Sequence, residues 1–321
     1  MSRAGEARLG ALVREGSLAG RSAPPMVLWR FARPHTIVGT TLSVLALYAI
    51  AVTEFAGGAL DARPLDLLWT LLAAWCVNVF IVGINQLEDV EIDRINKPFL
   101  PIAAGDLSPA AGRRIVAASA AIPLVLAVTQ GAPELLAVAL GLAVGTAYSV
   151  PPLRLKRFPA LASLSITFVR SAVVNLGVWL HFSRAFGAGY EIDPAVWALI
   201  AVTVPFSFAI AILKDMPDVE GDRRYAIATF SVRLGARPVF ALGLAALTLA
   251  ELGMATVGAA LLDDASTAVL VGGHLVAAAL LWWWATRVDL ADRASIVRFY
   301  MRVWMLFFCE YAIVAAAYLL A

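Results

Sequence analysis

Apolar residues run through this chain in nine long blocks separated by short polar ones. A helix needs about 20 mostly apolar residues to cross a bilayer, with a range of about 17–25. Blocks at 37–52, 65–84, 110–128, 135–150, 162–182, 194–213, 239–262, 266–286 and 303–320 approach or meet that length. The pattern predicts an all-α, multi-pass integral membrane protein with nine transmembrane helices, embedded in a lipid bilayer.

Composition agrees. Of the 321 residues 61% are hydrophobic and only 15% charged, with a mean hydropathy of +0.82. A soluble domain carries roughly 25% charged residues, so a soluble fold, a disordered chain and a nucleic-acid-binding protein are all excluded. The two cysteines, Cys76 and Cys309, sit in apolar runs. They support neither a disulfide framework nor a cysteine metal site and read as buried, inert thiols. Residues 1–30 carry Arg3, Arg8, Arg14 and Arg21 with no apolar stretch behind the early charges, unlike a secretory signal. They are expected to form an Arg-rich tail, amphipathic or disordered, ahead of a single membrane domain over 31–321.

The charges are sorted by side. Of 25 Lys and Arg, 22 fall before the first block, between blocks two and three, four and five, six and seven, and eight and nine, or, for Arg113 and Arg114, in the first turn of block three. Only Arg63 and Arg184 fall on the other side, and Arg170 lies inside block five. By the positive-inside rule the N-terminus and the charged loops are cytoplasmic, and an odd number of spans puts the C-terminus outside.

Acids cluster on that same face. Eight of the 23 lie in two segments, NQLEDVEIDRINKP at 85–98 and KDMPDVEGDRR at 214–224. Aligned at Asp89 and Asp218 they read DVEIDR and DVEGDR, identical at five of six positions and 129 residues apart. One follows block two and the other block six. Both helices run the same way, which makes a parallel repeat of about four spans. Asn85, Asp89 and Asp93 are spaced i, i+4, i+8 and share a helical face, as do Asp218 and Asp222. Pro217 is expected to break span six near 214–217, with a short helix restarting beyond it.

Like charges at this spacing repel and need a cation. Oxygen donors without His or Cys suit Mg2+ before Ca2+. Two facing clusters can hold a diphosphate through bridging metals, with Arg94, Lys97, Lys214 and Arg223 taking the remaining phosphate charge. The metal-site candidates are Asn85, Asp89, Asp93, Asp215, Asp218 and Asp222.

Asn85-x3-Asp89-x3-Asp93 after span two, with a second Asp-rich motif after span six, resembles the UbiA superfamily of intramembrane aromatic prenyltransferases. The segments RPHTIVGT (33–40), NQLEDVEIDRINKPFLPIAAG (85–105), YSVPPLRLKR (148–157), RSAVVNLGVWLHF (170–182) and KDMPDVEGD (214–222) are most similar to its homogentisate prenyltransferase branch. Glu88 departs from that pattern, where an apolar residue is expected. The resemblance implies nine helices around a central cavity that opens to the cytoplasmic side and to lipid. It implies two Mg2+ ions bridging an isoprenoid diphosphate (phytyl, geranylgeranyl, farnesyl or solanesyl) and a small aromatic acid as acceptor. The reaction would be C-prenylation of homogentisate with loss of carbon dioxide, as in tocopherol or plastoquinone-type biosynthesis. Asp89, Asp93, Asp218, Asp222 and Arg170 would be catalytic. Arg33, His35, Asn85, Tyr148, Arg154, Lys156 and Asn175 would bind substrate beside the basic residues already named.

Alternatives stand beside this reading. They are another acceptor (4-hydroxybenzoate, a quinolone or a chlorophyllide), a terpene cyclase of the same superfamily, or a transporter, where parallel repeats also occur. Three charges lie at membrane depth: Arg170, Glu251 and Glu310. Such residues face the bundle interior and mark function. Arg170 sits on the order of 13 Å into its span by helical rise. It could contact a substrate or pair with Glu251. Asn175 could orient the acceptor or form an interhelical bond. His181 and His274 read as structural, as do Gly141, Gly145 and Gly177 in close packing, and Trp29 and Trp282–Trp284 as interfacial anchors.

Overall fold

The computed structural model describes residues 24–321, so the expected tail falls largely outside the described residues, along with Arg3, Arg8, Arg14 and Arg21. What is described of it, Pro24–Phe31, is a helix (α1) with Val27 and Phe31 buried. Nine helices among the described residues are long and apolar enough to cross a membrane. They are α2 (Pro34–Ala56), α3 (Pro64–Glu88), α5 (Pro109–Gln130), α6 (Ala132–Ser149), α7 (Pro159–Ala185), α8 (Pro194–Leu213), α10 (Ala236–Leu261), α11 (Thr267–Ala285) and α12 (Arg293–Leu319). Two short helices, α4 (Val90–Asn96) and α9 (Val219–Arg224), extend α3 and α8 at one end. No strand occurs among the described residues.

Each apolar block has become one span, and most of them start earlier than hydropathy alone suggests. The added residues are helix-start signals. Six spans carry proline in their first two positions, where its missing N–H costs nothing. Ser108, Asp193 and Asp292 cap α5, α8 and α12 by accepting bonds from Ala111, Ala195 and Ala294.

The spans pack in two groups. Around α3, α5 and α6 lies a smaller core of Phe31, Ala73, Phe80, Val116 and Val138. The larger core joins α2 to α7, α8, α10, α11 and α12 through Leu47, Trp179, Phe206, Leu247, Leu281 and Phe307. Between lipid-soluble helices the drive to associate is close packing rather than water exclusion. Gly141 accordingly faces Val77, Gly145 faces Ile81 and Gly177 faces the methyl of Ala137. Cys76 is half-buried, but Cys309 lies on the outer surface of α12 rather than in the core. Trp29, Trp282 and Trp283 are exposed at helix ends, as interfacial anchors would be.

Two π-helical turns interrupt the spans: 168–173 within α7, which carries Arg170, and 254–258 within α10.

The glycine contacts separate two substitutions that helix propensity alone would rank equally. Gly272→Ala adds its Cβ in open space and gains propensity of about 1 kcal/mol. Gly177→Ala drives its Cβ into Ala137, an overpacking cost of about 1–3 kcal/mol. Thermal unfolding in detergent should show a lowered Tm for Gly177→Ala and an unchanged or raised Tm for Gly272→Ala.

Candidate active site

The two acidic motifs meet at one end of the bundle, and each forms where a span stops. Helix α3 ends at Glu88, and Asp89 (φ −111°, ψ 20°) interrupts it before α4 begins. The break is shallow. The Asp89 N–H still reaches the Asn85 carbonyl at 3.0 Å and the Asp93 N–H the Asp89 carbonyl at 2.7 Å. Asn85, Asp89 and Asp93 therefore keep their shared face across a bend that sequence spacing did not anticipate. Helix α8 ends at Leu213, a single 3-10 turn covers Met216–Asp218, and α9 restarts with Asp222 on it. This is the break expected at Pro217.

The four aspartates of the repeat are buried, each 5–8% exposed. Their charge is met by cations from distant segments. Asp89 pairs with Lys156 at 2.5 Å and Arg154 at 2.9 Å and accepts from Asn85 Nδ2 at 3.0 Å. Asp218 pairs with Lys97. Asp215 pairs with Lys214 at 2.9 Å, and Lys214 also donates to the Tyr148 hydroxyl at 3.1 Å. Arg33 donates to Asn85 Oδ1 at 3.4 Å. Burial pushes the Asp93 carboxyl up to about 6, against the pull of Lys97 and Arg33. Burial likewise pushes the Lys156 ammonium down, with Asp89 opposing.

A divalent cation fits this donor set. Asp93 Oδ2 and Asp218 Oδ1 are buried without a hydrogen-bond partner. Buried carboxylate oxygens are costly in that state. All the candidate donors are oxygens, which hard cations prefer.

Below the acids runs a cavity of about 540 Å³. Its mouth is formed by Asn85, Asp89, Asp93, Lys97, Lys156, Lys214, Asp215, Asp218 and Asp222. One wall descends α6 along Ala137, Val138, Gly141, Val144 and Gly145. Another carries Arg33, His35, Arg170 and Trp304. His35 stacks edge-on against Trp304 at 4.9 Å, and the Arg170 guanidinium lies 4.7 Å over the same indole. Arg170 Nη1 has no hydrogen-bond partner. Its alternative partner, Glu251, lies instead with His274 and Glu310.

Three residues expected at the site are not brought to it. Arg94 is exposed and pairs with Glu91 at 2.6 Å, because i, i+3 spacing turns it to the outer face of α4. Arg223, one residue past Asp222, is exposed in the same way on α9. Asn175 is fully buried behind the cavity wall. It donates to the Ser171 carbonyl and Thr203 and accepts from Tyr311, so it ties three spans together. Glu88 is exposed and adds nothing to the acidic cluster.

Trp304 and two further residues escaped sequence reasoning. Asn96 donates to Asp222 Oδ1 at 3.2 Å and accepts the Gly221 N–H at 3.0 Å. Arg293, at the start of α12, donates to the Asn96 carbonyl at 2.5 Å and the Pro217 carbonyl at 2.9 Å. A signal for Asn96 existed in the repeat, whose single mismatch sets Ile92 against Gly221. Only glycine lets α9 approach, since a Cβ at 221 would fall inside the Asn96 side chain.

A nine-span bundle whose cavity is apolar in its body and carries paired aspartate motifs at its mouth defines an intramembrane enzyme acting on an amphiphilic diphosphate. The chain belongs to the UbiA prenyltransferase family, whose model matches residues 37–306, and this sets aside the transporter reading. It is 45% identical to homogentisate phytyltransferase of Synechocystis sp. over 284 residues, which cover 88% of this chain and 92% of that one. It is 38% identical to homogentisate phytyltransferase 1 of Arabidopsis thaliana over 291 residues, 88% of this chain and 73% of the other. Its fold matches a UbiA homolog from Archaeoglobus fulgidus solved with DMAPP and Mg2+, at a TM-score of 0.62 and 16% identity, covering 89% of this chain and 98% of that one.

The Asn96–Gly221 contact can be tested directly. Gly221→Ala should separate α4 from α9 and lower turnover at least about tenfold, since small displacements at a reacting centre cost that much or more. Asn96→Ala should have the same direction. A Mg2+ titration of activity would show whether the metal requirement rises with it. Wild-type turnover and Mg2+ response in Gly221→Ala would refute the bridging role.

Proposed function

We propose that this chain transfers a prenyl group from an isoprenoid diphosphate to a ring carbon of homogentisate, with loss of carbon dioxide. The observation that carries the acceptor is Arg170, a guanidinium held on the cavity wall over Trp304 with Nη1 unpartnered. An unpaired cation at that depth calls for an anion from the substrate. It disfavours an all-hydrocarbon occupant, as a terpene cyclase would hold. An aromatic acid supplies both a carboxylate for Arg170 and a ring for Trp304 and His35. The similarity to homogentisate phytyltransferases supports homogentisate over other phenolic acids.

The prenyl tail runs along the α6 wall, and its diphosphate sits at the mouth. Asn85, Asp89 and Asp93 on one arm and Asp215, Asp218 and Asp222 on the other would hold two Mg2+ ions, which would supply charge neutralisation for the leaving diphosphate. Lys97, Lys156, Lys214 and Arg154 turn from the carboxylates they pair with in the free protein to the phosphate oxygens. The allylic C–O bond breaks, and diphosphate leaves with the bonding electrons. The apolar cavity keeps water from the allylic cation, and the Trp304 face stabilises positive charge. The ring carbon forms the new C–C bond and loses its proton. The acetate side chain releases carbon dioxide, and its carbon takes up a proton to become a methyl group. We place the mouth on the cytoplasmic side on the strength of the one-sided distribution of Lys and Arg.

Mass spectrometry of products from purified protein with Mg2+, a panel of prenyl diphosphates and a panel of phenolic acids tests this reading. A decarboxylated, prenylated homogentisate is expected. A clean product with another acceptor alone would overturn the assignment. Product from the diphosphate alone would indicate a cyclase.

Two variants test the roles. Asp89→Ala should lose at least about a hundredfold in turnover at every Mg2+ level while remaining folded. Arg170→Gln should raise the acceptor KM about tenfold or more, the worth of a charged hydrogen bond, and leave the KM for prenyl diphosphate near its wild-type value. An unchanged acceptor KM would remove Arg170 from carboxylate binding.

A further inference from the structure

Away from the cavity, three ionisable side chains meet in the bundle interior. Glu251 comes from α10, His274 from α11 and Glu310 from α12, and all three are 0% exposed. One donor atom from each lies within 4.8 Å of the other two. None of the three lines the catalytic cavity.

The imidazole is already set as a ligand would be. His274 Nδ1 lies 2.7 Å from the Leu270 carbonyl, which can only accept, so this nitrogen carries the proton. The Nε2 lone pair of the neutral ring is thereby turned toward Glu310 Oε2, 3.2 Å away. A backbone carbonyl fixing one ring nitrogen while the other faces acidic donors is the usual support of a metal-bound histidine. Both Glu251 oxygens and Glu310 Oε1 are buried and meet no donor. Among the described residues no Lys or Arg forms an ion pair with either glutamate. Two ionised carboxylates facing an imidazole lone pair inside a bilayer-spanning bundle call for compensating positive charge, which a bound cation or shared protons can supply.

We propose that Glu251, His274 and Glu310 bind one divalent metal ion of the Zn2+ class, as a structural clamp joining the last three spans. A mixed nitrogen and carboxylate set suits Zn2+ and its first-row neighbours better than Mg2+ or Ca2+, which prefer oxygen alone. Two carboxylates and M2+ sum to zero, the charge a membrane interior tolerates. Tetrahedral donors on bonds of about 2.0–2.1 Å stand about 3.4 Å apart, so modest rotation of the glutamate side chains closes the site. The helix of Glu251 also leaves α geometry at 254–258, within a turn of the carboxylate, as α7 does around Arg170. Such π turns gather at functional positions.

The test is metal content. The full-length protein, purified in detergent from cells grown with added Zn2+ and washed with a mild chelator, should carry one Zn2+ per chain by elemental mass spectrometry. Asp89→Asn combined with Asp218→Asn, which disables the mouth, should retain it. Glu251→Gln and His274→Gln should lose it. Stripped wild-type protein should gain several degrees in Tm on adding Zn2+, and Co2+ should give visible absorption bands that Glu251→Gln lacks. Metal-free wild-type protein whose Tm ignores Zn2+, Mn2+ and Fe2+ would overturn the proposal and leave two shared protons as the neutralising charge. Retention of the metal in Glu251→Gln would overturn it equally. Should the variants fail to fold, the metal content and Tm response of the wild type decide alone.

Discussion

Carboxylates gathered at the edge of a bilayer repel one another and are poorly hydrated, and much of this protein's architecture answers that problem. Asp89, Asp93, Asp215, Asp218 and Asp222 converge from the ends of two spans at one end of the bundle. Lys97, Arg154, Lys156 and Lys214 are brought to them from three connecting segments. Each pairing spends a cation that a diphosphate would otherwise attract. The resting site is therefore compensated from within, yet Asp93 and Asp218 each keep an oxygen free. Metal and phosphate can enter such a site by exchanging partners, without leaving a buried charge bare at any stage.

The contrast between the two arms shows how a repeat becomes a site. DVEIDR and DVEGDR differ at one position, and the difference is steric. Ile92 is buried and lines the cavity, while Gly221 admits the Asn96 side chain and donates its N–H to it. Two identical arms would stand apart. The asymmetric pair touches, and Arg293 from the last span closes over the junction.

The nine spans, their helix-start prolines and both acidic motifs were legible because each rests on local pattern. So was the break at Pro217, which follows from one residue's missing N–H and ring sterics. The arrangement of basic residues was legible only in part. Lys97 and Lys156 reach the acids, while Arg94 and Arg223 turn outward, and their direction depends on helix phase beyond the bend at Asp89 and the break at Pro217. Asn175 was open to two readings, and the packing of Thr203 and Tyr311 from other spans decides it. Arg293 and the Glu251–His274–Glu310 meeting depend on how spans far apart in the chain pack together. No local pattern carries that information.

One wall of the cavity is built from Ala137, Val138, Gly141, Val144 and Gly145 on α6, while the aspartates belong to the segments that end α3 and α8. Distant positions contribute to binding nearly independently. With the prenyl tail placed along α6 as proposed, substitutions that deepen or shorten that wall would change the tail that fits without altering the head-group chemistry. In evolutionary terms the donor's length would be a separable trait. A few small-residue exchanges along α6 would then change the isoprenoid chain accepted while leaving the acidic mouth as it is.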